Sequence, residues 1–190
     1  IRAVVGETGE IDTTAAEEAA KGKLFKYECY NDNVCLIELD EEPPREINKE
    51  ALKAALQVCK LVKAKIVDEA QVMRKTIIDG SNVSGFQRTA LIGHDGIIES
   101  SLGKITIPTI LLEEDSARHI KTEKEKITYR LDRLGIPLIE ISTGPDIKTP
   151  EELREVAEKI GLILRSTGKC KRGIGTIRPV SYTHLTLPTN

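Results

Sequence analysis

Residues 104–115, KITIPTILLEED, decide the fold class and contain the first candidate site. The aliphatic run predicts a strand over 104–114, and three consecutive carboxylates follow at its end, Glu113, Glu114 and Asp115. Because side chains alternate between the two faces of a strand, we expect Glu113 and Asp115 on one face and Glu114 on the other. The sheet that contains this strand should therefore have acidic groups on both faces at one end.

Further strand and helix candidates lie on both sides of this segment. Asp95-Gly96 predicts a hairpin turn, because glycine accepts the positive φ that such turns need, and the strands beside it should pair antiparallel. The predicted strands are 24–30, 34–39, 66–79, 86–93, 97–99, 104–114, 127–133 and 137–142, and the predicted helices begin at the caps Asp12, Asn48 and Thr149. This mixed order predicts an α+β fold, a largely antiparallel sheet with packed helices.

Composition and charge exclude several classes of protein. With 39% hydrophobic and 31% charged residues, the chain resembles a folded domain and not a disordered one. It has no run of about 18 apolar residues and no signal segment, so we expect a cytoplasmic protein. The net charge of −2 provides no overall field for nucleic acid, and the four cysteines form no C-x-x-C pair of the kind that binds zinc.

The two ends of the chain have unusual sequences. The chain begins at Ile1 and its single methionine is Met73, which favours a fragment of a longer protein. Residues 179–190 resemble the translation of an adapter used to prepare sequencing libraries, so we leave them, including His184, out of any functional site. A genuine C-terminal strand of alternating threonine and leucine is the alternative. We expect a partial domain over 1–178 and a non-native tail over 179–190.

Glu140 is the second candidate, because it is the lone acid in the aliphatic strand 137–142. Burial of an unpaired carboxylate is costly, so this side chain should contact a cation, a metal or hydrogen-bond donors. Composition alone favours an ion pair with Arg130 or Arg133. Convergence with an acid of strand 104–114 would instead create a Mg²⁺ site, since hard divalent cations prefer carboxylate oxygens.

Two other stretches concentrate polar groups. Residues 79–88, DGSNVSGFQR, follow a strand with Arg74 and Lys75 and have the amides, hydroxyls and cations that suit a phosphate or carboxylate, although an ordinary surface turn is the favoured interpretation. Residues 165–178 contain five basic side chains and no acid: Arg165, Lys169, Lys171, Arg172 and Arg178. This stretch suits RNA phosphates, and a solvated basic loop is an equally good interpretation.

Five ordered motifs together resemble the archaeal E subunits of glutamyl-tRNA(Gln) amidotransferase and, more distantly, the bacterial B subunits. They are CLIELDEEPP (35–44), VMRKTIIDGSNVSGFQRT (72–89), LEEDSAR (112–118), YRLDRLGIPLIEISTGPD (129–146) and RSTGKCKRGIGTIR (165–178). The resemblance extends over nearly all of residues 1–178. It implies part of a glutamine-synthetase-like cradle domain.

The resemblance also implies a ligase that forms a C–N bond. A kinase subunit uses ATP to phosphorylate the side-chain carboxylate of glutamate misacylated on tRNA(Gln). Ammonia from an asparaginase-like partner, the archaeal D subunit, then displaces phosphate to give Gln-tRNA(Gln). Such a phosphoryl transfer requires Mg²⁺ to neutralise phosphate charge.

Roles for individual residues follow from the resemblance alone. Glu114 and Glu140 are implied as the Mg²⁺ ligands, with Glu113 second. The nucleotide or glutamyl pocket is implied to contain Arg74, Lys75, Ser84 and Gln87. Arg133 and Arg178 are implied to counter the phosphate, and Lys169, Lys171 and Arg172 to lie along the acceptor end of the tRNA.

The sequence departs from the family pattern at both ends. A Glu-x-His strand that joins the family's metal site would precede Ile1, and an acidic strand would follow Arg178. We therefore expect the chain to be an incomplete cradle that is inactive alone. Two alternatives stay open: a non-catalytic tRNA-binding or assembly module whose acids only pair with arginines, and an ATP-dependent ligase that acts on a free amino acid.

Overall fold

Two β-sheets and three α-helices make up the described part of the protein, residues 9–11, 13–101 and 103–181 of a computed structural model. The helices are α1 (Thr13–Ala20), α2 (Lys49–Leu61) and α3 (Pro150–Ser166). The strands are β1 (Leu24–Glu28), β2 (Lys65–Ile66), β3 (Val72–Thr76), β4 (Phe86–Ser100), β5 (Gly103–Glu114), β6 (Arg118–Glu123), β7 (Lys126–Arg130) and β8 (Pro137–Ser142). The predicted cap Asp12 and residues 182–190 of the predicted tail lie outside the described residues.

The larger sheet has five strands and is antiparallel throughout. Its order is β2-β4-β5-β8, and β3 pairs with β4 on the same edge as β2. Helices α2 and α3 pack on one face of this sheet, where Val58, Ile92, Ile107, Ile110 and Val156 are almost fully buried. The opposite face, which we call the open face, is not covered by these helices.

Local signals in the sequence explain both long helices. The Asn48 side chain accepts hydrogen bonds from the backbone N–H groups of Glu50 and Ala51, each at 3.0 Å, which satisfies the free amides at the start of α2. Thr149 does the same for Glu152 at 3.2 Å, and Pro150 occupies the first turn of α3. The two predicted helix starts are confirmed.

The smaller sheet has the order β1-β7-β6, with β1 parallel to β7 and β6 antiparallel to it. Phe25, Tyr27 and Tyr129 form an aromatic cluster on one of its faces. Val83 of the loop after β3 packs against this cluster. The smaller sheet is therefore joined to the larger one through that loop.

The α+β prediction is confirmed, but three local predictions are wrong and one strand was not predicted. Residues 34–39 form turns and not a strand. Cys35 N–H donates to the Glu38 carboxylate at 2.7 Å, and β1, which a strand here could have paired with, pairs with β7. The predicted strand 66–79 divides into β2 and β3, and β6 had no predicted counterpart. Finally, β4 continues through Asp95-Gly96, with Asp95 in the left-handed region at φ +53°, and no hairpin forms there.

Gly96 serves close packing and not chain reversal. A Cβ atom at this position would lie 3.0 Å from Val62 and 3.2 Å from both Ala64 and Ile107. The strands β4 and β5 stay paired past this point, up to Ser100 opposite Gly103, where the chain reverses. Long-range packing against α2 therefore overrides the local turn signal. None of the helices in the described residues is long and apolar enough to span a membrane.

Candidate functional site

Two carboxylates lie side by side on the open face, Glu113 of β5 and Glu140 of β8. Glu140 pairs in register with Leu111, which is two residues before Glu113 and so on the same face. Although Glu140 is exposed as a residue, its carboxyl group is partly withdrawn from water. That desolvation, together with the negative charge of Glu113 and a hydrogen bond to it, raises the pKa of Glu140, while Lys75 opposes the rise. We call Glu113 and Glu140 the acid pair.

Three donors from β3 and β4 hold the buried member of this pair. Glu113 is 3% exposed, and its carboxylate accepts from Lys75 Nζ at 2.7 Å, Thr89 Oγ1 at 3.1 Å and Gln87 Nε2 at 3.4 Å. Thr89 is opposite Glu113 in the β4–β5 register, and Lys75 is opposite Gln87 in the β3–β4 register. Pairing of neighbouring strands thus places all three donors on the open face.

Glu114 does not lie with Glu140, contrary to our expectation. Glu114 is directed to the face on which the helices pack, because it follows Glu113 in an extended strand. Its carboxylate there accepts two hydrogen bonds from Arg88, one from Nε at 3.0 Å and a second from the terminal nitrogen. Arg88 also donates to the backbone carbonyl of Arg45, so this ion pair ties the segment before α2 to the end of β5.

The ion pair that composition favoured for Glu140 is not formed either. Arg130 pairs instead with Glu28 at 3.0 Å in the smaller sheet. Arg133 Nε donates to the Ser116 carbonyl oxygen at 3.2 Å and lies 3.7 Å from the Asp115 carboxylate. Both arginines are engaged by groups whose proximity depends on long-range strand pairing.

Arg133 and Arg178, the two predicted phosphate-binding residues, converge on Asp115. Arg178 donates to the Asp115 carboxylate at 2.9 Å. Asp115 directly follows the strand that contains Glu113, so the segment after α3 returns to the end of the sheet where the acid pair lies. The structure thus brings two of the predicted cations together near that end.

The glycine-containing loop 79–85 is clamped and is not an ordinary surface turn. Tyr27 Oη donates to the Gly80 carbonyl oxygen at 2.7 Å, and Tyr129 Oη donates to the Asp79 carbonyl oxygen at 2.8 Å. Gly80 has φ +79° and lies against the Phe25 ring, where a Cβ atom would come within 2.4 Å. Aromatic residues of the smaller sheet therefore fix the position of this loop.

Two predicted pocket residues make other contacts. Ser84 Oγ donates to the Phe86 carbonyl oxygen at 3.2 Å. Arg74 precedes Lys75 on β3, so its side chain is on the face opposite the acid pair, and its guanidinium lies 5.6 Å from the centre of the Phe86 ring. Of the four predicted pocket residues, only Lys75 and Gln87 contact the acid pair.

The basic segment is partly engaged by the protein itself. Lys169 Nζ forms an ion pair with Glu50 of α2 at 2.7 Å. Lys171 and Arg172 are exposed, and within the described residues neither has an ion-pair partner. These two cations are accordingly available to an anionic partner.

The acid pair suits a magnesium ion that shares its coordination with a substrate. Where the structure describes the chain, no three His, Cys, Asp or Glu side chains are grouped so as to hold a metal by themselves. Mg²⁺ in phosphoryl-transfer sites is typically held by one or two carboxylates, with phosphates and waters as its other ligands. Two crowded carboxylates with one lysine carry a net negative charge when ionised, so a cation is favoured there.

Thr89 and Asp115 were missed as partners of the site. The alternation of side chains along β4 could have placed Thr89 beside Gln87, but which strand faces it depends on pairing that no local pattern reveals. Asp115 is recognisable in the sequence as an acid, but its partner Arg178 lies 63 residues later, and no local pattern links the two.

Comparisons with known proteins agree on one family. A family model described as the GatB/GatE catalytic domain matches residues 15–180. Relatives named as the E subunit of glutamyl-tRNA(Gln) amidotransferase, from Methanocaldococcus jannaschii and Pyrococcus furiosus, are each 56% identical over 178 residues, and the one from Methanosarcina acetivorans is 54% identical. Each alignment covers 94% of this chain and 28% of the relative, so the chain spans a little over a quarter of their length. The chain belongs to the GatB/GatE catalytic domain family.

Proposed function

We propose that the protein belongs to the kinase and transamidase subunit of a heteromeric glutamyl-tRNA(Gln) amidotransferase. In this proposal, ATP phosphorylates the side-chain carboxylate of Glu-tRNA(Gln), and ammonia then displaces phosphate to form Gln-tRNA(Gln). Residues 1–178 would be part of a glutamine-synthetase-like cradle. Membership of the family and the names of the relatives support this function.

The acid pair is the single observation that carries the proposal. A carboxylate does not react with ammonia near neutral pH because oxide is a poor leaving group, and conversion to an acyl phosphate solves that problem. Transfer of a phosphoryl group requires positive charge near the phosphate oxygens. Glu113 and Glu140 would hold a Mg²⁺ ion that supplies this charge.

Neighbouring side chains have separate tasks in this mechanism. Lys75 holds the Glu113 carboxylate in place through a charge-assisted hydrogen bond of 2.7 Å. Thr89 and Gln87 orient the same carboxylate through hydrogen bonds from their neutral hydroxyl and amide groups. Arg133 and Arg178 would bind the transferred phosphoryl group, because planar guanidinium groups match the oxygens of a phosphate.

We propose two macromolecular partners. The exposed Lys171 and Arg172 would contact phosphates of the tRNA acceptor end, and Lys169 would contribute after release from Glu50. An asparaginase-like protein, of the same kind as the archaeal D subunit, would supply ammonia. ATP and Mg²⁺ would be the cofactors.

A non-catalytic tRNA-binding module is the second candidate function. The ion pairs Lys75–Glu113 and Arg88–Glu114 favour it, because in a purely structural role these acids would have no task other than to pair with cations. Under this alternative, substitution of the acid pair would leave ATP hydrolysis by the complex unchanged.

The test uses the full-length chain in its complex with the ammonia-producing partner. ADP formation is measured with Glu-tRNA(Gln), with free glutamate and with neither, for the wild type and for Glu113→Gln, Glu140→Gln and the control Glu123→Gln. Glu123 is an exposed acid paired with Lys121 on β6. We expect ADP formation that depends on Glu-tRNA(Gln) and falls on the order of 100-fold in both acid-pair variants, with tRNA affinity retained.

Two results would contradict the proposal. Full activity in Glu113→Gln and Glu140→Gln, with tRNA binding lost on substitution of Lys171 and Arg172, would establish the non-catalytic module. Stimulation of ADP formation by free glutamate without tRNA would establish a ligase acting on a free amino acid.

A further inference from the structure

Asp115 is the meeting point of two arginines that come from distant parts of the chain. Arg178, after α3, donates to Asp115 Oδ2 at 2.9 Å, and Arg133, between β7 and β8, lies 3.7 Å from the same oxygen. The Asp115 side chain is only 15% exposed, so the contacts are partly shielded from water. The three groups together have one net positive charge.

The backbone of Asp115 is held as firmly as its side chain. Its N–H donates to the Ile136 carbonyl oxygen at 2.7 Å, and its own carbonyl oxygen accepts from Gly135 at 2.9 Å. These bonds join the end of β5 to the start of β8, the two strands that contain the acid pair. The position of the Asp115 carboxylate is thus tied to that of the acid pair.

Both oxygens of the Asp115 carboxylate face donors of the protein itself. Oδ1 accepts from the Ser116 N–H at 2.9 Å, and Oδ2 faces the two arginines. Arg133 uses its Nε–H for the Ser116 carbonyl oxygen, and Arg178 uses one terminal N–H for Asp115 Oδ2. Within the described residues, the remaining N–H groups of both arginines have no protein acceptor.

We propose that Asp115 is a positioning residue that orients Arg133 and Arg178 to receive a phosphoryl group. The inference rests on the proposed phosphoryl transfer and adds a residue with a role that none of the predicted site residues has. The Asp115 carboxylate, hydrogen-bonded to Arg178 and 3.7 Å from Arg133, offsets the mutual repulsion of the two guanidinium groups, while their free N–H groups stay available to phosphate oxygens. Pre-alignment of this kind accelerates transfer because the donors need not reorganise.

The experiment compares variants of the full-length chain in its amidotransferase complex. Asp115→Asn removes the negative charge at nearly constant shape, Asp115→Glu restores it, and Arg178→Lys removes the planar partner. The matched control is Asp132→Asn, which removes a carboxylate that follows β7 and pairs with Arg118 of β6 at 3.2 Å. For each variant, kcat and KM for Glu-tRNA(Gln)-dependent ADP formation, the Mg²⁺ concentration at half-maximal rate and the thermal midpoint are measured.

We expect Asp115→Asn to lower kcat on the order of 100-fold, with the KM for Glu-tRNA(Gln), the Mg²⁺ dependence and the thermal midpoint close to those of the control. Asp115→Glu should recover part of the loss. The double variant Asp115→Asn/Arg178→Lys should be no slower than the slower of the two single variants, because both changes disrupt the same Asp115–Arg178 contact.

Three results would overturn the inference. Asp115→Asn could match the control in kcat, the two single losses could multiply in the double variant, or the Mg²⁺ dependence could shift, which would make Asp115 part of the metal site. A wild-type complex without ADP formation that depends on Glu-tRNA(Gln) would instead refute the proposed function itself, so the two failures are distinguishable.

Discussion

Replacement of Lys75 by methionine tests whether the acid pair is stabilised by a cation in the way that the geometry indicates. The Lys75 Nζ–Glu113 oxygen distance of 2.7 Å corresponds to a gross attraction of about 6 kcal/mol at an effective dielectric constant of about 20. Lys75 is 46% exposed, so solvent screens much of this, and Glu113 retains two neutral donors. We therefore expect a loss of about 2 kcal/mol in the free energy of unfolding.

The assay is thermal unfolding at pH 7 without divalent cations. For a chain of this length, the expected loss lowers Tm by about 4–8 °C. Lys53→Met is the matched control, because Lys53 and Glu50 are also 2.7 Å apart but both are more than 60% exposed on α2, and we expect no measurable change in Tm there. Addition of Glu113→Gln to Lys75→Met should restore part of the stability, since an uncompensated buried charge is removed.

Equal unfolding temperatures for Lys75→Met and Lys53→Met would refute a stabilising contact between Lys75 and Glu113. An equal effect of Glu113→Gln with and without Lys75 would also refute it, because the two side chains would then be energetically independent.

Three further predictions concern stability and the two faces of the sheet. The pKa of Glu140 is raised in the folded protein, so its charged form destabilises the fold increasingly as pH rises above the ordinary value of 4.5. Glu140→Gln should accordingly be more stable than the wild type at pH 7 without Mg²⁺, and the same stability difference at pH 4.5 and pH 7 in urea titrations would contradict this. Gly80→Ala should lower the free energy of unfolding by about 3 kcal/mol, because a Cβ would meet the Phe25 ring at 2.4 Å. Gly85→Ala, with φ +77° but no neighbour within 4 Å, should lower it by about 1 kcal/mol. Equal losses in urea unfolding would refute close packing of Phe25 on the loop. Arg88→Gln should speed amide hydrogen exchange in the segment before α2 and leave Mn²⁺ affinity unchanged, and weakened Mn²⁺ binding would show that the helix-covered face belongs to the metal site.

Local signals in the sequence predicted the positions of helices and strands better than they predicted which strands pair. The cap Thr149 and the following proline located the start of α3, and the aliphatic run around Glu140 gave β8 with the bounds that the structure has. The alternation of side chains also separated Glu113 from Glu114 correctly. These features depend on residues that are neighbours in the chain.

Pairing between distant strands could not be predicted in the same way. Glu140 lies beside Glu113 and not Glu114 because β8 pairs with β5 in a register that sets Glu140 opposite Leu111. A shift by one residue would reverse the faces, and no pattern within either strand specifies that register. The same reason explains why β1 pairs in parallel with β7, about a hundred residues later, and not with a segment that follows it closely, such as 34–39.

The most direct test of the magnesium proposal is the location of a bound Mn²⁺ ion. Crystals of the full-length complex would be grown with Mn²⁺ and a non-hydrolysable ATP analogue, and the metal located by its anomalous scattering. We predict a single strong peak about 2.1 Å from carboxylate oxygens of both Glu113 and Glu140. A peak at Glu114 on the opposite face, or a nucleotide-bound metal that contacts neither member of the acid pair, would contradict the account.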